Sequence, residues 1–219
     1  MQIFTGGCIF GVVNLLLSDL SQVINIYKMV LIFLVSAIIL IGFMLIRTKI
    51  SIKVPLKVIF KKQMATLMIN LTTSSQVSAL PEKMKCCKGK FGIDEKMVDF
   101  GLPLGIVVYM PCGAIFLGLA TWSLANISAT PIGFGEVIKI CLISIIVAIA
   151  APPIPGSACA VMPIIFSSCG IPNEVFPLAI IMATFIGYLL PAINGYCLQL
   201  ELLMAAKKLG MVDMERLKN

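Results

Sequence analysis

The sequence has no histidine and little charge. Only 12% of its 219 residues are Asp, Glu, Lys or Arg, whereas 59% are hydrophobic, and the mean hydropathy is +1.05. Soluble domains carry about one-quarter charged residues, so this composition predicts an integral membrane protein. The absence of histidine argues against metal binding or acid–base chemistry that depends on an imidazole.

Carboxylates are scarce in the apolar part of the chain, and the cysteines show no paired motif. Between Phe100 and Leu200 the acids are Glu136 and Glu174, which lie at the edges of apolar segments. An intramembrane hydrolase or a proton pump needs acids within its spans, so neither class is expected. The eight cysteines form no C-x-x-C motif, and most lie in apolar stretches, where cysteine behaves as a small hydrophobe. We therefore predict neither an enzyme nor a bound cofactor.

Long uncharged runs predict membrane-spanning helices. Three runs exceed the roughly 20 residues that a helix needs to cross the hydrocarbon: Phe100–Gly135, Ile140–Asn173 and Val175–Leu200. Tyr27–Ile46 is a further apolar segment, and Gly6–Leu20 is a shorter one. The predicted fold class is therefore an all-α membrane protein.

Basic residues fall into three blocks that predict the orientation of the chain. The blocks occupy residues 47–62, 83–96 and 207–218. Cytoplasmic loops carry an excess of Lys and Arg, so all three blocks, and with them the C-terminus, are expected in the cytoplasm. The net charge of +7 therefore reports the orientation of a multi-pass plasma-membrane protein, and no nucleic-acid partner is expected.

Two segments are expected to begin and end on the same side of the membrane. Residues 63–81 have basic blocks on both sides, which predicts an inner re-entrant hairpin. Residues 137–173 have sparsely charged flanks and contain "AAPPIPGSA", whose prolines remove helical hydrogen-bond donors. This pattern predicts an outer hairpin of opposite sense that reverses at Pro152–Gly156. Interrupted helices at membrane depth commonly mark the substrate site of a secondary transporter.

The whole chain, 1–219, is predicted to be one membrane domain without a soluble part. Short basic connections are expected at 47–62 and 82–97. The predicted parts, in chain order, are two N-terminal helices within 1–46, the inner hairpin over 63–97, a helix over 98–127, the outer hairpin over 137–173 and a C-terminal helix over 175–206.

The stretch "TTSSQVSALP" at residues 72–81 concentrates hydroxyl and amide groups in an otherwise apolar chain. At the tip of a hairpin inside the membrane, such groups would replace water around a hydrophilic solute. The polar side chains are those of Thr72, Thr73, Ser74, Ser75, Gln76 and Ser78. The alternative is a cytoplasmic loop whose serines cap a helix.

Three motifs occur in a fixed order along the chain. "TSSQVSALPEKM" is similar to T-S-S-S-x-x-T-L-P, and "PLG" at 103–105 precedes Met110, which matches the methionine of N-M-D-G-T. "APPIPGSACAVMPIIFSSCGIP" resembles a hairpin with the tip x-x-P-G-x-G. In this order, over about residues 27–213, the motifs resemble the dicarboxylate/amino acid:cation symporter family of the glutamate-transporter type.

The resemblance implies which residues meet the solute and the coupled cation. Those implied for substrate binding are Ser74, Ser75, Gln76, Pro155, Gly156, Ser157 and Asn194. Those implied for cation binding are Gly105, Tyr109, Met110 and Glu201, with coupling to sodium or to protons. The implied partners are a small-molecule solute and membrane lipids.

The chain departs from the family pattern where the family binds ions and acidic side chains. The Asn and Asp of N-M-D-G-T are absent. In the final helix Pro191, Asn194, Leu198 and Leu202 stand where the family has Asp, Arg, Asn and Asp, unless a slip of one residue brings Glu201 to the last position. A change from Arg to Asn removes a bidentate carboxylate partner, so we expect a neutral or small polar solute.

The chain resembles the C-terminal half of a family member, both in its length and in the motifs that it contains. We therefore expect a partial or split symporter that transports an amino acid or dicarboxylate-like solute, together with a missing N-terminal scaffold half and a homo-trimeric assembly. The alternative is a non-transporting remnant or interaction subunit that keeps the transporter fold.

Overall fold

The computed structural model describes residues 20–218, with side chains described from residue 24 onward. Within this range the regular structure is helical, apart from an isolated antiparallel bridge between Ile93 and Val212. The predicted all-α fold class is confirmed for this part of the chain. The short apolar segment Gly6–Leu20 lies outside the described residues except for Leu20 itself.

The helices follow one another with short connections. They are α1 Leu20–Ile52, α2 Leu56–Thr73, α3 Leu80–Lys85, α4 Glu95–Val108, α5 Pro111–Ile127, α6 Phe134–Ala150, α7 Ser157–Cys169, α8 Phe176–Ile186, α9 Leu189–Lys208 and α10 Met214–Lys218. A π-helical turn at Cys86–Lys90 continues α3, and a 3₁₀ turn at Asn173–Val175 precedes α8.

Helical stretches long and apolar enough to cross a membrane lie in three parts of the described chain. They are Ile24–Ile52 in α1, Glu95–Ile127 across α4 and α5, and Leu189–Lys208 in α9. These stretches support a multi-pass membrane protein.

The inner stretch is interrupted at its hydroxyl-rich segment. α2 ends at Thr73, and Ser74 adopts a left-handed conformation with φ 51° and ψ 30°, which stops the helix. The chain turns through residues 75–79 before α3 begins at Leu80 with Pro81 in its first turn, where a missing N–H breaks no helical bond. The re-entrant course of this stretch through a membrane stays a prediction.

The outer stretch is interrupted at its prolines. α6 ends at Ala150, and the three prolines of "PPIP" follow, each without a donor to continue a helix. Gly156 then adopts a left-handed conformation, φ 79°, directly before α7 begins at Ser157. Glycine tolerates this conformation because it has no Cβ. The reversal falls on residues 151–156, and the re-entrant course of this stretch also stays a prediction.

The helix expected over 98–127 is corrected to two helices. α4 ends at Val108 and α5 begins at Pro111, with Tyr109 and Met110 outside helical geometry. A proline disfavours helical backbone in the residue before it, and Met110 accordingly has φ −124° and ψ 45°. Proline itself is well accommodated as the first residue of the new helix.

The helix expected over 175–206 is likewise divided. α8 ends at Ile186, and α9 begins at Leu189. The ring of Pro191 conflicts with the carbonyl of the residue four positions earlier, Gly187, and lacks the N–H that would bond to it. The basic connection expected over 47–62 is shorter than predicted, because α1 continues to Ile52 and α2 begins at Leu56.

The chain forms two compact units. The first comprises the described part of Met1–Ser36, together with Met110–Pro152 and Gly156–Gly187. In this unit α5 packs against α6 and α7, and Phe33 of α1 meets Phe116 edge to face, with ring centroids 6.1 Å apart. Its interior is mainly apolar.

The second unit comprises Ala37–Tyr109, Pro153–Pro155 and the described residues from Tyr188 onward. α9 is its central helix, with fourteen of twenty residues buried, and it packs against α2 and α4. Two glycines of α4 allow the close approach. A Cβ at Gly105 would lie 2.4 Å from Leu198, and one at Gly101 would lie 2.6 Å from Leu202.

The C-terminal end of α1 is joined to α9 by an ion pair and by hydrogen bonds within the second unit. Arg47 forms an ion pair with Glu201, and a second nitrogen–oxygen contact of this pair measures 3.3 Å. The Lys207 ammonium donates to the carbonyl oxygens of Ser51 and Ile52, the latter at 3.0 Å. These carbonyls belong to the last turn of α1, which has no helical donors for them.

Candidate functional site

Polar side chains are buried together where α2, α3 and α9 meet in the second unit. We call this group the polar cluster, and its members are Gln63, Thr66, Asn70, Gln76, Lys83 and Gln199. Polar groups removed from water destabilise a protein unless they are hydrogen-bonded. Six such side chains in one interior therefore make the cluster a candidate recognition site.

One face of α2 supplies half of the cluster. Gln63, Thr66 and Asn70 are spaced by three and four residues, so they lie on one side of the helix. The Thr66 hydroxyl donates to the Gln199 side-chain oxygen at 2.8 Å, and the Gln63 amide donates to the Tyr196 carbonyl at 3.5 Å. These contacts join the α2 face to the central helix α9.

Lys83 is the charged member of the cluster. The sequence places it in a basic block that is expected in the cytoplasm, and the structure shows that its side chain is fully buried within the protein. Its ammonium lies 3.4 Å from the backbone oxygen of Gln76 and 3.3 Å from the Gln76 side-chain oxygen. Burial lowers the pKa of Lys83 to about 7, and the nearby Cys87 acts in the opposite direction.

Asn70 and Lys83 meet above a glycine of α9. A Cβ at Gly195 would lie 2.5 Å from the Asn70 amide nitrogen and 2.8 Å from the Lys83 ammonium nitrogen. Both nitrogens therefore lie close to the α9 backbone at Gly195, where a glycine leaves room for them. The Asn70 side chain is buried, and neither end of its amide has a hydrogen-bond partner among the described residues.

Ser74 and Ser75 of the inner interruption differ in their exposure to solvent. Ser74 is half-buried, whereas Ser75 is 5% exposed. The Ser75 hydroxyl lies 3.5 Å from the carbonyl oxygen of Pro153, and it accepts from the backbone N–H of Ser78 at 3.4 Å. The inner interruption thus contacts the part of the outer interruption that belongs to the same unit, Pro153–Pro155.

The two threonines of the same stretch form hydrogen bonds with the helix to which they belong, α2. Thr72 and Thr73 are exposed, and their hydroxyls donate to carbonyls of α2, at 2.9 Å to Met68 and 2.7 Å to Ile69. A hydroxyl that donates within its own helix can offer a solute only its acceptor lone pairs. The alternative of a structural role therefore suits these two residues.

Asn194 lies on α9 beside Gly195 and is 2% exposed. The other substrate residues implied by the resemblance are distributed over both units. Pro155 is exposed and belongs to the second unit, whereas Gly156 and Ser157 are half-buried at the start of α7 in the first unit. The assignment of all these residues to solute binding stays a prediction.

The residues implied for cation binding are already engaged. Glu201 pairs with Arg47, and the Gly105 carbonyl accepts from the Tyr109 backbone N–H at 2.8 Å. The Tyr109 hydroxyl lies 3.7 Å from the Met44 sulfur. In the described part of the chain no three His, Cys, Asp or Glu residues converge as a metal site.

Met110 begins α5 as its N-terminal flanking residue and belongs to the first unit. Its carbonyl accepts from the Ala114 N–H at 3.0 Å, which is the first bond of that helix. A sodium ion prefers several hard oxygen ligands, and the engaged groups at Glu201 and Gly105 fit this requirement poorly. Cation binding at these four residues stays a prediction.

The sequence interpretation missed Asn70, Gln63 and Gln199. The signal for two of them is readable, because polar residues recur on α2 at 63, 66 and 70 with helical spacing inside an apolar segment. The burial of Lys83 has no such signal. It follows from the packing of α3 against α2, which a count of charges along the chain does not reveal.

Comparison with known proteins gives a match to one family. The family described as "Sodium:dicarboxylate symporter family" matches residues 8–196 of the chain. This range includes both interrupted stretches and the first eight residues of α9.

Individual relatives match over shorter ranges. Human excitatory amino acid transporter 1 is 30% identical over 128 residues, which is 58% of this chain and 24% of the relative. Human excitatory amino acid transporter 5 is 31% identical over 114 residues, 52% of this chain and 20% of the relative. Mouse excitatory amino acid transporter 2 is 27% identical over 104 residues, 48% and 18% respectively. The match therefore covers less than a quarter of the length of each of these relatives.

Proposed function

Because the chain belongs to the sodium:dicarboxylate symporter family, we propose that it carries out secondary active transport of an amino acid or dicarboxylate-like solute across the plasma membrane. The family is one of transporters rather than enzymes, as the sequence predicts. The relatives are named as transporters of excitatory amino acids. For this chain we propose the class of solute and the residues that bind it.

The observation that carries the proposal is the contact between the two interruptions. The Ser75 hydroxyl and the Pro153 carbonyl lie 3.5 Å apart, next to the buried amide of Gln76. Helix interruptions expose backbone donors and acceptors that a polar solute can use. We assign the main-chain groups of the solute to Ser74, Ser75, Gln76, Pro155, Gly156 and Ser157.

Asn194 is assigned to the solute side chain. Asparagine offers one acceptor and two donors without net charge. An acidic side chain next to it would lose hydration, and Asn194 offers no positive charge to compensate for this loss, which disfavours binding. We therefore propose a neutral or small polar solute.

Uptake into liposomes that contain the purified chain tests this proposal. We expect labelled L-serine to accumulate, and labelled L-glutamate or succinate to accumulate at least about tenfold more slowly, as a difference above about 1.4 kcal/mol requires. Ser75→Ala should slow L-serine uptake, because it removes the hydroxyl at the contact. Ser167→Ala is the matched control, since Ser167 is exposed and bonds to its own helix at Ile164.

Two results would contradict the proposal in different ways. Faster uptake of L-glutamate than of L-serine would overturn the neutral solute. Binding of L-serine without uptake would instead contradict transport by the chain on its own, leaving the non-transporting subunit or a requirement for the scaffold helices. The family match over residues 8–196 does not favour the non-transporting subunit.

Partners and orientation are part of the same proposal. We propose that the chain works with further scaffold helices and assembles as a homo-trimer in the lipid bilayer, with its C-terminus in the cytoplasm. The three basic blocks support the orientation. The description of the family supports coupling to sodium, and coupling to protons is the alternative.

A further inference from the structure

Lys83 joins α3 to the turn of the inner interruption. Its side chain is fully buried, and its oxygen contacts in the described part of the chain are both with Gln76. The ammonium nitrogen lies 3.4 Å from the backbone oxygen of Gln76 and 3.3 Å from the side-chain oxygen. One residue of α3 therefore holds both the main chain and the side chain of a single residue in the turn.

The end of the Lys83 side chain packs against the α9 backbone. A Cβ at Gly195 would lie 2.8 Å from the ammonium nitrogen and 3.0 Å from the carbon that bears it. Asn70 directs its amide nitrogen to the same glycine, and a nitrogen that only donates cannot accept a hydrogen bond from the ammonium. The close packing at Gly195 thus restricts the movement of the ammonium, whereas Gln76 supplies its acceptors.

The carbonyl of Gln76 lies in a turn rather than in a helix. Residues 75–79 connect α2 to α3, and Gln76 is 2% exposed. A buried carbonyl destabilises a fold unless a donor meets it. Lys83 supplies a donor to this carbonyl, so it stabilises the turn from outside.

The same lysine fixes which way the Gln76 amide faces. An ammonium group only donates hydrogen bonds, so the end of the amide that meets it is the oxygen. The amide nitrogen, with its two N–H donors, is consequently held on the side away from Lys83. Without this contact, either end of the amide can face a solute.

We propose that Lys83 is a positioning residue for solute binding, which holds Gln76 so that its amide N–H groups rather than its oxygen are presented to the solute. The solute group at Gln76 is then a hydrogen-bond acceptor. This inference rests on the proposed transport function, in which Gln76 contacts main-chain groups of the solute. Because Lys83 also packs against Gly195, it connects the inner interruption to the part of α9 that carries Asn194.

Kinetics of L-serine uptake into liposomes test the inference on the full chain. Lys83→Met keeps the length of the side chain and removes its donors. We expect it to raise KM about tenfold, the size of one hydrogen bond to a charged group, and to change Vmax by less than about twofold. Lys85→Met is the matched control, since Lys85 is exposed on the same short helix, and it should leave both constants unchanged.

A double-mutant cycle shows whether Lys83 acts through Gln76. In a Gln76→Leu background, Lys83→Met should change KM by less than about twofold, because the contact that it removes is already absent. An equal rise of KM in both backgrounds overturns the inference. A folded Lys83→Met variant with the KM of the unsubstituted chain overturns it too.

Gln76→Glu keeps the inference testable if Lys83→Met fails to fold. A glutamate keeps an oxygen toward the ammonium, but it replaces the N–H donors with a second oxygen. We expect this variant to raise KM for L-serine about tenfold, because an acceptor then faces an acceptor of the solute. An unchanged KM contradicts the presentation of N–H groups.

Hydrogen exchange separates this inference from the proposed transport. In detergent, the backbone amides of residues 74–80 should exchange at least about threefold faster in Lys83→Met than in the unsubstituted chain, because the turn loses a donor. In Lys85→Met their exchange should be unchanged. Absence of uptake by the unsubstituted chain contradicts the proposed transport. Equal exchange in Lys83→Met and in the unsubstituted chain instead shows that Lys83 does not hold the turn.

Discussion

Among the described residues, the first unit buries three hydroxyl side chains, whereas the second buries five side-chain amides and a lysine besides its hydroxyls. A hydroxyl inside a helix can bond to a carbonyl of the preceding turn. An amide or an ammonium has more donors than one helix can satisfy, so it needs partners from other elements. The comparison teaches that the buried groups that need partners from several elements are concentrated in the second unit.

The interruptions of the two hairpin-like stretches differ in a related way. The inner one is stopped by Ser74 in a left-handed conformation and carries hydroxyls and an amide. The outer one is stopped by prolines and Gly156, whose contribution is backbone geometry. Side chains at the inner interruption can therefore select a solute, whereas the outer one offers mainly carbonyls and N–H groups.

The largest expected effect compares one glycine from each unit. Gly195→Ala should lower stability by about 1–3 kcal/mol, as overpacking of a tight interior does, because its Cβ would lie under 3.0 Å from Asn70 and Lys83. Gly118→Ala should be neutral or stabilising by up to about 1 kcal/mol, since alanine favours helix and its nearest neighbour, Ser144, is 3.8 Å away. Thermal unfolding of both variants in the same detergent measures these effects. Equal Tm values for the two variants would show that the interiors of the two units do not differ in how tightly they pack around these glycines.

A smaller effect compares two buried threonines. Thr66→Val should lower stability by about 1–2 kcal/mol, because the Gln199 oxygen loses its donor at 2.8 Å. Thr121→Val in the first unit should be neutral or slightly stabilising, since the Thr121 hydroxyl is buried without a partner among the described residues. Urea or thermal unfolding of the two variants checks this, and a larger loss for Thr121→Val would reverse the comparison.

The smallest expected effect is a dependence of stability on pH in the second unit. Burial lowers the pKa of Lys83 to about 7 from the ordinary value of 10.5, so the unfolded chain binds more protons between these values. Stability should therefore rise as pH increases from 7. Above pH 9 the opposite trend is expected from Cys86 and Cys87, because burial raises the pKa of both thiols.

Measurements between pH 7 and 8.5 isolate the lysine contribution. Tm of the unsubstituted chain should increase over this interval, and Lys83→Met should remove the increase because it has no group that titrates there. Lys85→Met serves as the control on an exposed lysine of α3. An identical slope in the unsubstituted chain and in Lys83→Met would show that the ammonium is not the source.

The sequence was sufficient to predict the all-α fold, the family and the places where two stretches are interrupted. Apolar runs, charge blocks and prolines are local properties of the chain. They can therefore be recognised without knowing which helices pack against each other. The division of the helix over 98–127 at Pro111 was also readable from the residue before the proline. The interpretation overlooked it because hydropathy alone does not register a break.

The candidate site was predictable only in part. The serines and the proline–glycine segment follow from motifs, whereas the position of Lys83 depends on which side of α3 meets α2 and α9. In a sequence, a lysine that is surrounded by other lysines is expected to be exposed to solvent. In the structure, Gly195 leaves the space in which the Lys83 side chain is buried. Likewise, the pairing of Glu201 with Arg47 joins residues 154 positions apart, a separation that no local pattern encodes.

The fastening of α1 to α9 has a mechanical consequence. Arg47 and Lys207 attach the C-terminal end of the first described helix to the helix that carries Asn194. Sliding α9 past α1 would separate opposite charges and strip two carbonyls of their donors in a single step. The two helix ends should therefore move together as one piece whenever either helix is displaced.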